Sequence, residues 1–69
     1  MTKAYFTLFC REKDGKWYPQ FGDYSRSVVA EEAQDSYSRE YKAKDRKIIK
    51  HNDTPNGQQV EQAKLNGEG

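Results

Sequence analysis

The sequence predicts an α+β fold of order β-β-α-β. It consists of a three-stranded antiparallel or mixed sheet, one helix packed on one of its faces, and a disordered C-terminal tail. Three observations carry this expectation. Two runs rich in aromatic and β-preferring residues, Ala4–Arg11 and Trp17–Phe21, flank the turn-forming dipeptide Asp14-Gly15. Val29, Ala33 and Tyr37 recur at i, i+4 and i+8, the spacing of one helix face. Arg46–Lys50 sets Ile48-Ile49 between charges, which reads most simply as a third strand.

Ala4–Arg11 is the expected first strand. Asp14-Gly15 suits a two-residue type I′ turn, whose central positions both need positive φ. That turn sets Lys13 opposite Lys16, Cys10 opposite Pro19 and Leu8 opposite Phe21. One face then collects Phe6, Leu8, Cys10, Trp17, Pro19 and Phe21 as a core face. The other collects Tyr5, Thr7, Phe9, Arg11, Tyr18 and Gln20. Pro19 lacks an amide donor, so the second strand belongs at a sheet edge. Phe21–Ser25 is expected to turn, with Gly22 free to take positive φ, and Ser25 or Ser27 to cap the helix. The helix is expected over Ser27–Glu40, with Glu31, Glu32 and Asp35 early and Arg39 and Lys42 late, complementing its dipole. The third strand pairs antiparallel with the first, and alternation sends Ile48 and Ile49 to opposite faces.

Hydrophobic residues mark the domain boundary. Residues 1–51 hold 20 of the 23, and residues 52–69 hold only Val60, Ala63 and Leu65. The expected organisation is one domain over 1–51 and a tail over 52–69 with too little apolar surface to offset ordering. The rival for the tail is a short helical turn around Gln58–Leu65, marginal in isolation. A folded part of about 50 residues is near the lower size for an unaided domain. Cys10 is the only cysteine and His51 the only histidine, so neither a disulfide nor a four-ligand zinc site is expected, and no cofactor is implied. Mean hydropathy is −1.24, and no apolar run approaches the ~20 residues of a spanning helix. No apolar h-region follows the basic start either, so neither a membrane nor a secretory route is expected.

Catalytic constellations are equally sparse. Cys10 is expected to face Pro19 in the core as an inert thiol, His51 has no evident acid-base partner, and Gly15 and Gly22 read as turn residues. Glu31, Glu32 and Asp35 read as a solvated helix face. Two surfaces remain. One helix covers one sheet face, so Tyr5, Phe9 and Tyr18, with Gln20, form an expected protein-docking patch for a second copy or a host protein. The alternative is nucleic-acid contact through Arg39, Lys42, Lys44, Arg46, Lys47 and Lys50, with Tyr41 (and Tyr37) interleaved for stacking. The whole-chain charge of +1 and pI of about 7.8 argue for the bland reading of these lysines as solubilising and edge-guarding.

Trp17-Tyr-Pro-Gln-Phe-Gly-Asp-Tyr24, followed by Val28-Val29 and by Lys44-Asp45 and Ile48-Ile49, resembles small uncharacterised proteins of tailed phages and prophages. The resemblance covers about residues 4–50. It implies a phage accessory protein in bacterial cytoplasm and carries no biochemical activity. The expected function is therefore non-enzymatic, through protein–protein interaction.

Overall fold

The sheet orders its strands β2-β1-β3, all antiparallel, with β1 (Ala4–Arg11) between β2 (Trp17–Asp23) and β3 (Arg46–Asn52). Helix α1 spans Arg26–Ser36, a single 3₁₀ turn spans Ala43–Asp45, and a second helix, α2, spans Pro55–Leu65. These elements come from a computed structural model that describes residues 3–67. The α+β class and the strand order follow the sequence. The second helix stands where a disordered tail is the main expectation, and it covers the rival helical turn around Gln58–Leu65.

The hairpin differs from expectation in one physical detail that moves half of its side chains. Gly15 has φ of +83°, but no other residue among those described, apart from Gly67, is left-handed, so a type I′ turn is not formed. Instead Lys13-Asp14-Gly15 makes a three-residue loop. The Glu12 N–H donates to the Lys16 carbonyl and the Gly15 N–H to the Glu12 carbonyl, both at 2.9 Å. Asp14 holds this loop by accepting from the Lys16 N–H at 2.9 Å and from the Tyr18 hydroxyl at 2.7 Å. The Lys16 amide is also the main reason its carboxyl lies below the usual range.

Glu12 rather than Lys13 therefore faces Lys16, Cys10 faces Tyr18, and Arg11 faces Trp17. A bulge between Leu8 and Phe9 restores the expected Leu8–Phe21 pair. Trp17 thus leaves the expected core face, and Tyr18 leaves the expected docking face.

Beneath α1, Leu8, Cys10, Val29 and Ala33 form the buried cluster, flanked by Phe6, Phe21, Tyr37, Tyr41 and Ile48. β2 runs on to Asp23, so Gly22 is extended strand, not a positive-φ turn. Its lack of a side chain serves the Tyr5 ring, which a Cβ there would meet at 2.6 Å. Asp23 then turns the chain by accepting the Ser25 N–H at 2.7 Å. Ser25 stands at the N-cap position but its hydroxyl meets Ser27 instead of a helix amide.

α1 is also shorter than expected, ending at Ser36, and has no acidic residue in its first turn and no basic residue in its last. Residues 37–41 coil instead, and this brings Tyr41 back over the core with its hydroxyl on Glu12 at 2.5 Å. That bond holds the Tyr41 phenol up to about 12.

The expected disordered tail is replaced by α2. Its start follows N-cap rules: the Thr54 hydroxyl accepts from the Gly57 N–H at 3.1 Å, and Pro55 occupies the first turn. The inward stripe is polar. Gln58, Gln62 and Asn66 recur at i, i+4 and i+8, and each bonds the sheet. Gly57 is buried, and a Cβ there would overlap the Asn52 amide and lie 3.0 Å from the Asn52 carbonyl, so only glycine allows this approach. The tail thus overcomes its low hydrophobicity through main-chain and amide bonds made to a surface the sheet already provides.

Candidate functional site

The aromatic docking patch expected from the sequence does not assemble. Phe9 is fully buried on the α2 side of the sheet. Tyr5 lies half-buried on that side, its ring edge-on to Tyr24 at 4.9 Å and tilted against His51 at 5.7 Å. Tyr18 opposes Cys10 and is 37% exposed, so alternation puts it on the α1 side. Gln20 sits at the bulge, and its carbonyl accepts from the Tyr37 hydroxyl at 3.3 Å. The four residues fall on two faces, and α2 covers the part that was to be bare.

The basic segment is dispersed in the same way. Arg39, Lys42 and Lys44 are exposed in the connection, whereas Arg46 is half-buried and donates from Nη1 to the Ala33 carbonyl at 3.0 Å. Lys47 lies on the α2 side with its Nζ 5.0 Å from the Trp17 ring centroid, joined there by Arg11 at 5.4 Å. Lys50 opposes Phe6 on the α1 side. Tyr37 and Tyr41 are half-buried and pack against the core cluster.

Reactive groups are engaged internally. A cleft of about 320 Å³ is lined by Tyr5, His51, Asp53, Thr54, Pro55 and Gln58, bringing the one histidine and a carboxylate to a common wall. His51 Nδ1 lies 2.6 Å from the Asn52 carbonyl, which can only accept, so Nδ1 carries the proton. Nε2 then accepts from the buried Thr7 hydroxyl at 2.6 Å, and Thr7 in turn accepts from Gln58 at 3.4 Å. Both ring nitrogens are occupied. Asp53 accepts from the Tyr24 hydroxyl at 3.2 Å, and the nearby carboxylate raises that phenol above its ordinary value.

A larger groove of about 550 Å³ beside the hairpin is lined by Arg11, Glu12, Tyr41 and Asp45, which bond one another, and by Lys13, Glu40 and Lys44. Arg11 donates from Nε and Nη2 to Asp45, and Glu12 takes Tyr41. Cys10 is fully buried, and burial pushes its thiol up to about 11. No cluster of three or more metal-ligating side chains exists among the described residues.

The sheet's two edges differ most. The Glu12–Lys16 bond fixes the phase of the ladder: main-chain groups of even-numbered β1 residues face β2, and those of odd-numbered residues face β3. Trp17, opposite Arg11, therefore points its N–H and carbonyl outward from β2. Both are met by α2. Asn66 Oδ1 accepts from the Trp17 N–H at 2.6 Å, Asn66 Nδ2 donates to its carbonyl at 3.2 Å, and Gln62 donates to that carbonyl at 3.1 Å. The Asn66 amide thus reproduces the paired bonds a further strand would make.

Pro19, the next residue whose main chain faces outward, has no N–H to offer. On β3 the same phase turns the main chains of Arg46, Ile48 and Lys50 outward, and among the described residues no group bonds those of Ile48 and Lys50. Sequence reasoning missed the sealed edge because it followed apolar periodicity. The available signal was Thr54-Pro55 ahead of the amide stripe Gln58, Gln62 and Asn66.

Fold and edges together define a small α+β protein whose sheet is capped by side-chain amides at Trp17 on β2 and, among the described residues, carries no such cap at Ile48 and Lys50 on β3. No protein-family model, curated protein or solved structure matches the chain. No helix among the described residues is long and apolar enough to cross a membrane.

Proposed function

We propose that the protein is a non-enzymatic interaction module that engages a protein partner through the open edge of β3. The carrying observation is the contrast just described. On β2 the outward N–H and carbonyl of Trp17 are occupied by side-chain amides and Pro19 has no N–H, whereas among the described residues nothing bonds the outward main chain of Ile48 and Lys50 on β3. Exposed edges of this kind accept an added strand. The engaged nitrogens of His51 and the raised, buried thiol of Cys10 support a role without catalysis. The resemblance to tailed-phage and prophage proteins makes the partner a bacterial host protein and the location the bacterial cytoplasm.

The test is capture from a bacterial lysate on the immobilised protein, comparing wild type with Lys50→Pro. The Lys50 N–H faces outward, so proline there blocks strand addition while leaving the pairing with β1 in place. Circular dichroism matched to wild type verifies the fold. A protein identified by mass spectrometry that wild type retains and Lys50→Pro loses is the expected result. Equal retention by both, or recovery of nucleic acid alone, overturns the proposal.

A further inference from the structure

We infer that the β3 edge selects an extended segment carrying the pattern acidic–x–apolar–x–acidic; this rests on the edge reading above. Between Arg46 and Asn52, β3 carries Arg46, Lys47 and Lys50 and no carboxylate. The adjoining acids look elsewhere, Asp45 to Arg11 and Asp53 to Tyr24. Pairing β3 with a second copy of itself would line up three cations from each chain along one seam with nothing to offset them. Like charges across strands destabilise pairing, so the occupant is a different chain that supplies carboxylates.

The order of the pattern follows from which β3 side chains share a face. Arg46, Ile48 and Lys50 oppose Cys10, Leu8 and Phe6, so all three point to the α1 side. α1 leaves this margin incompletely covered: Leu8 and Cys10 are fully buried, Ile48 is only half-buried and Lys50 is exposed. A groove of about 280 Å³ lies there, with Leu8, Ala30, Ala33 and Ile48 as apolar wall and Arg26 and Arg46 as charged rim.

Arg46 is under-used in this position. Its Nη1 bonds the Ala33 carbonyl, but its Nε is buried without an acceptor, and among the described residues it has no carboxylate partner. An antiparallel strand added to β3 sets three alternate side chains over this face. The central one, opposite Ile48, enters the apolar groove. Those two residues to either side meet Arg46 and Lys50, where carboxylates complete the pairs.

The probe is the capped peptide Ser-Glu-Thr-Val-Thr-Glu-Ser, titrated into the ¹⁵N-labelled full chain. Two controls accompany it: the same peptide with lysine for both glutamates, and one with valine and glutamate positions exchanged. The expected result is that the first peptide shifts the amides of Ile48 and Lys50, binds about tenfold more tightly than either control, and weakens as salt rises. Lys50→Glu reduces its affinity by a similar factor.

Equal binding of the three peptides, shifts confined to another surface, or no binding at millimolar peptide overturns the inference. So does a mixed single-stranded DNA oligonucleotide that displaces the peptide at lower concentration. If the pattern fails while Lys50→Pro still abolishes lysate capture, the edge reading stands and only its specificity is wrong. If both fail, the edge is not the site.

Discussion

The two outer strands of this sheet both turn main-chain groups away from β1, and those groups are treated differently. At β2 the outward N–H and carbonyl of Trp17 are taken by Asn66 and Gln62, and Pro19 offers no donor. At β3, among the described residues, nothing bonds the outward groups of Ile48 and Lys50, and the flanking charge is their guard. An edge strand is a template for association unless something occupies it. Here a helix without an apolar stripe does so, using side-chain amides as a substitute strand. α2 therefore stabilises the fold and also decides which edge remains available.

Removing α2 is the harshest way to break the contrast. A chain ending at Asp53 uncovers Phe9 and Trp17, which are 0% and 6% exposed in the intact protein. Exposing two large side chains costs about 3–5 kcal/mol, a large share of the stability of so small a domain. Thermal melting should show the truncated chain largely unfolded or, by sedimentation, self-associated through the bared face.

A proline pair tests the ladder phase on the open side. Ile49 pairs with Thr7 with its main chain facing β1, so Ile49→Pro should cost about 3 kcal/mol. Lys50→Pro, one residue on, should stay within about 1 kcal/mol because its N–H faces away from β1. Chemical denaturation of the two variants measures the difference, and equal costs would mean the phase is wrong.

On the closed side, Asn66→Ala deletes both amide bonds to Trp17 and should cost about 1–2 kcal/mol. It should also make β2 accessible to added strands, visible as new concentration-dependent association.

A pH-dependent effect separates both edges from the core beneath α1. Cys10 is raised from 9.0 to about 11 and Tyr41 from 10.0 to about 12, by burial and by the Glu12 bond respectively. The folded chain therefore holds these protons after the unfolded chain has released them. Their contribution is complete below pH 9 and is lost as pH rises through about 11 to 12. Denaturation midpoints should fall across that window, less steeply in Cys10→Ala. Asn66→Ala should leave the slope unchanged, since it acts on the other face.

Much of the fold was legible because its signals are local and apolar. The β1 run, the Val29–Ala33 stripe and the Ile48/Ile49 alternation each describe a surface that must be buried. Two parts were not legible from such signals. The hairpin register turned on whether Asp14 took positive φ or bonded the Lys16 amide, a choice between a two- and a three-residue loop. That choice moved Trp17 and Tyr18 to opposite faces and dissolved the expected Tyr5, Phe9, Tyr18 and Gln20 patch. α2 was hidden for a different reason. Its docking face is Gln58, Gln62 and Asn66, whose periodicity is helical but polar, and whose partners exist only once the sheet is built. The basic residues were visible, but their separation onto two faces depends on the β3 register.

Residue-resolved hydrogen exchange tests the contrast between the edges most directly. The Trp17 amide, held by Asn66, should be protected to a degree comparable with Ile49 in the β1–β3 ladder. The Ile48 and Lys50 amides should exchange near the rate of exposed backbone. Strong protection of Ile48 and Lys50, or fast exchange at Trp17, would contradict the account of one edge closed by α2 and the other left open.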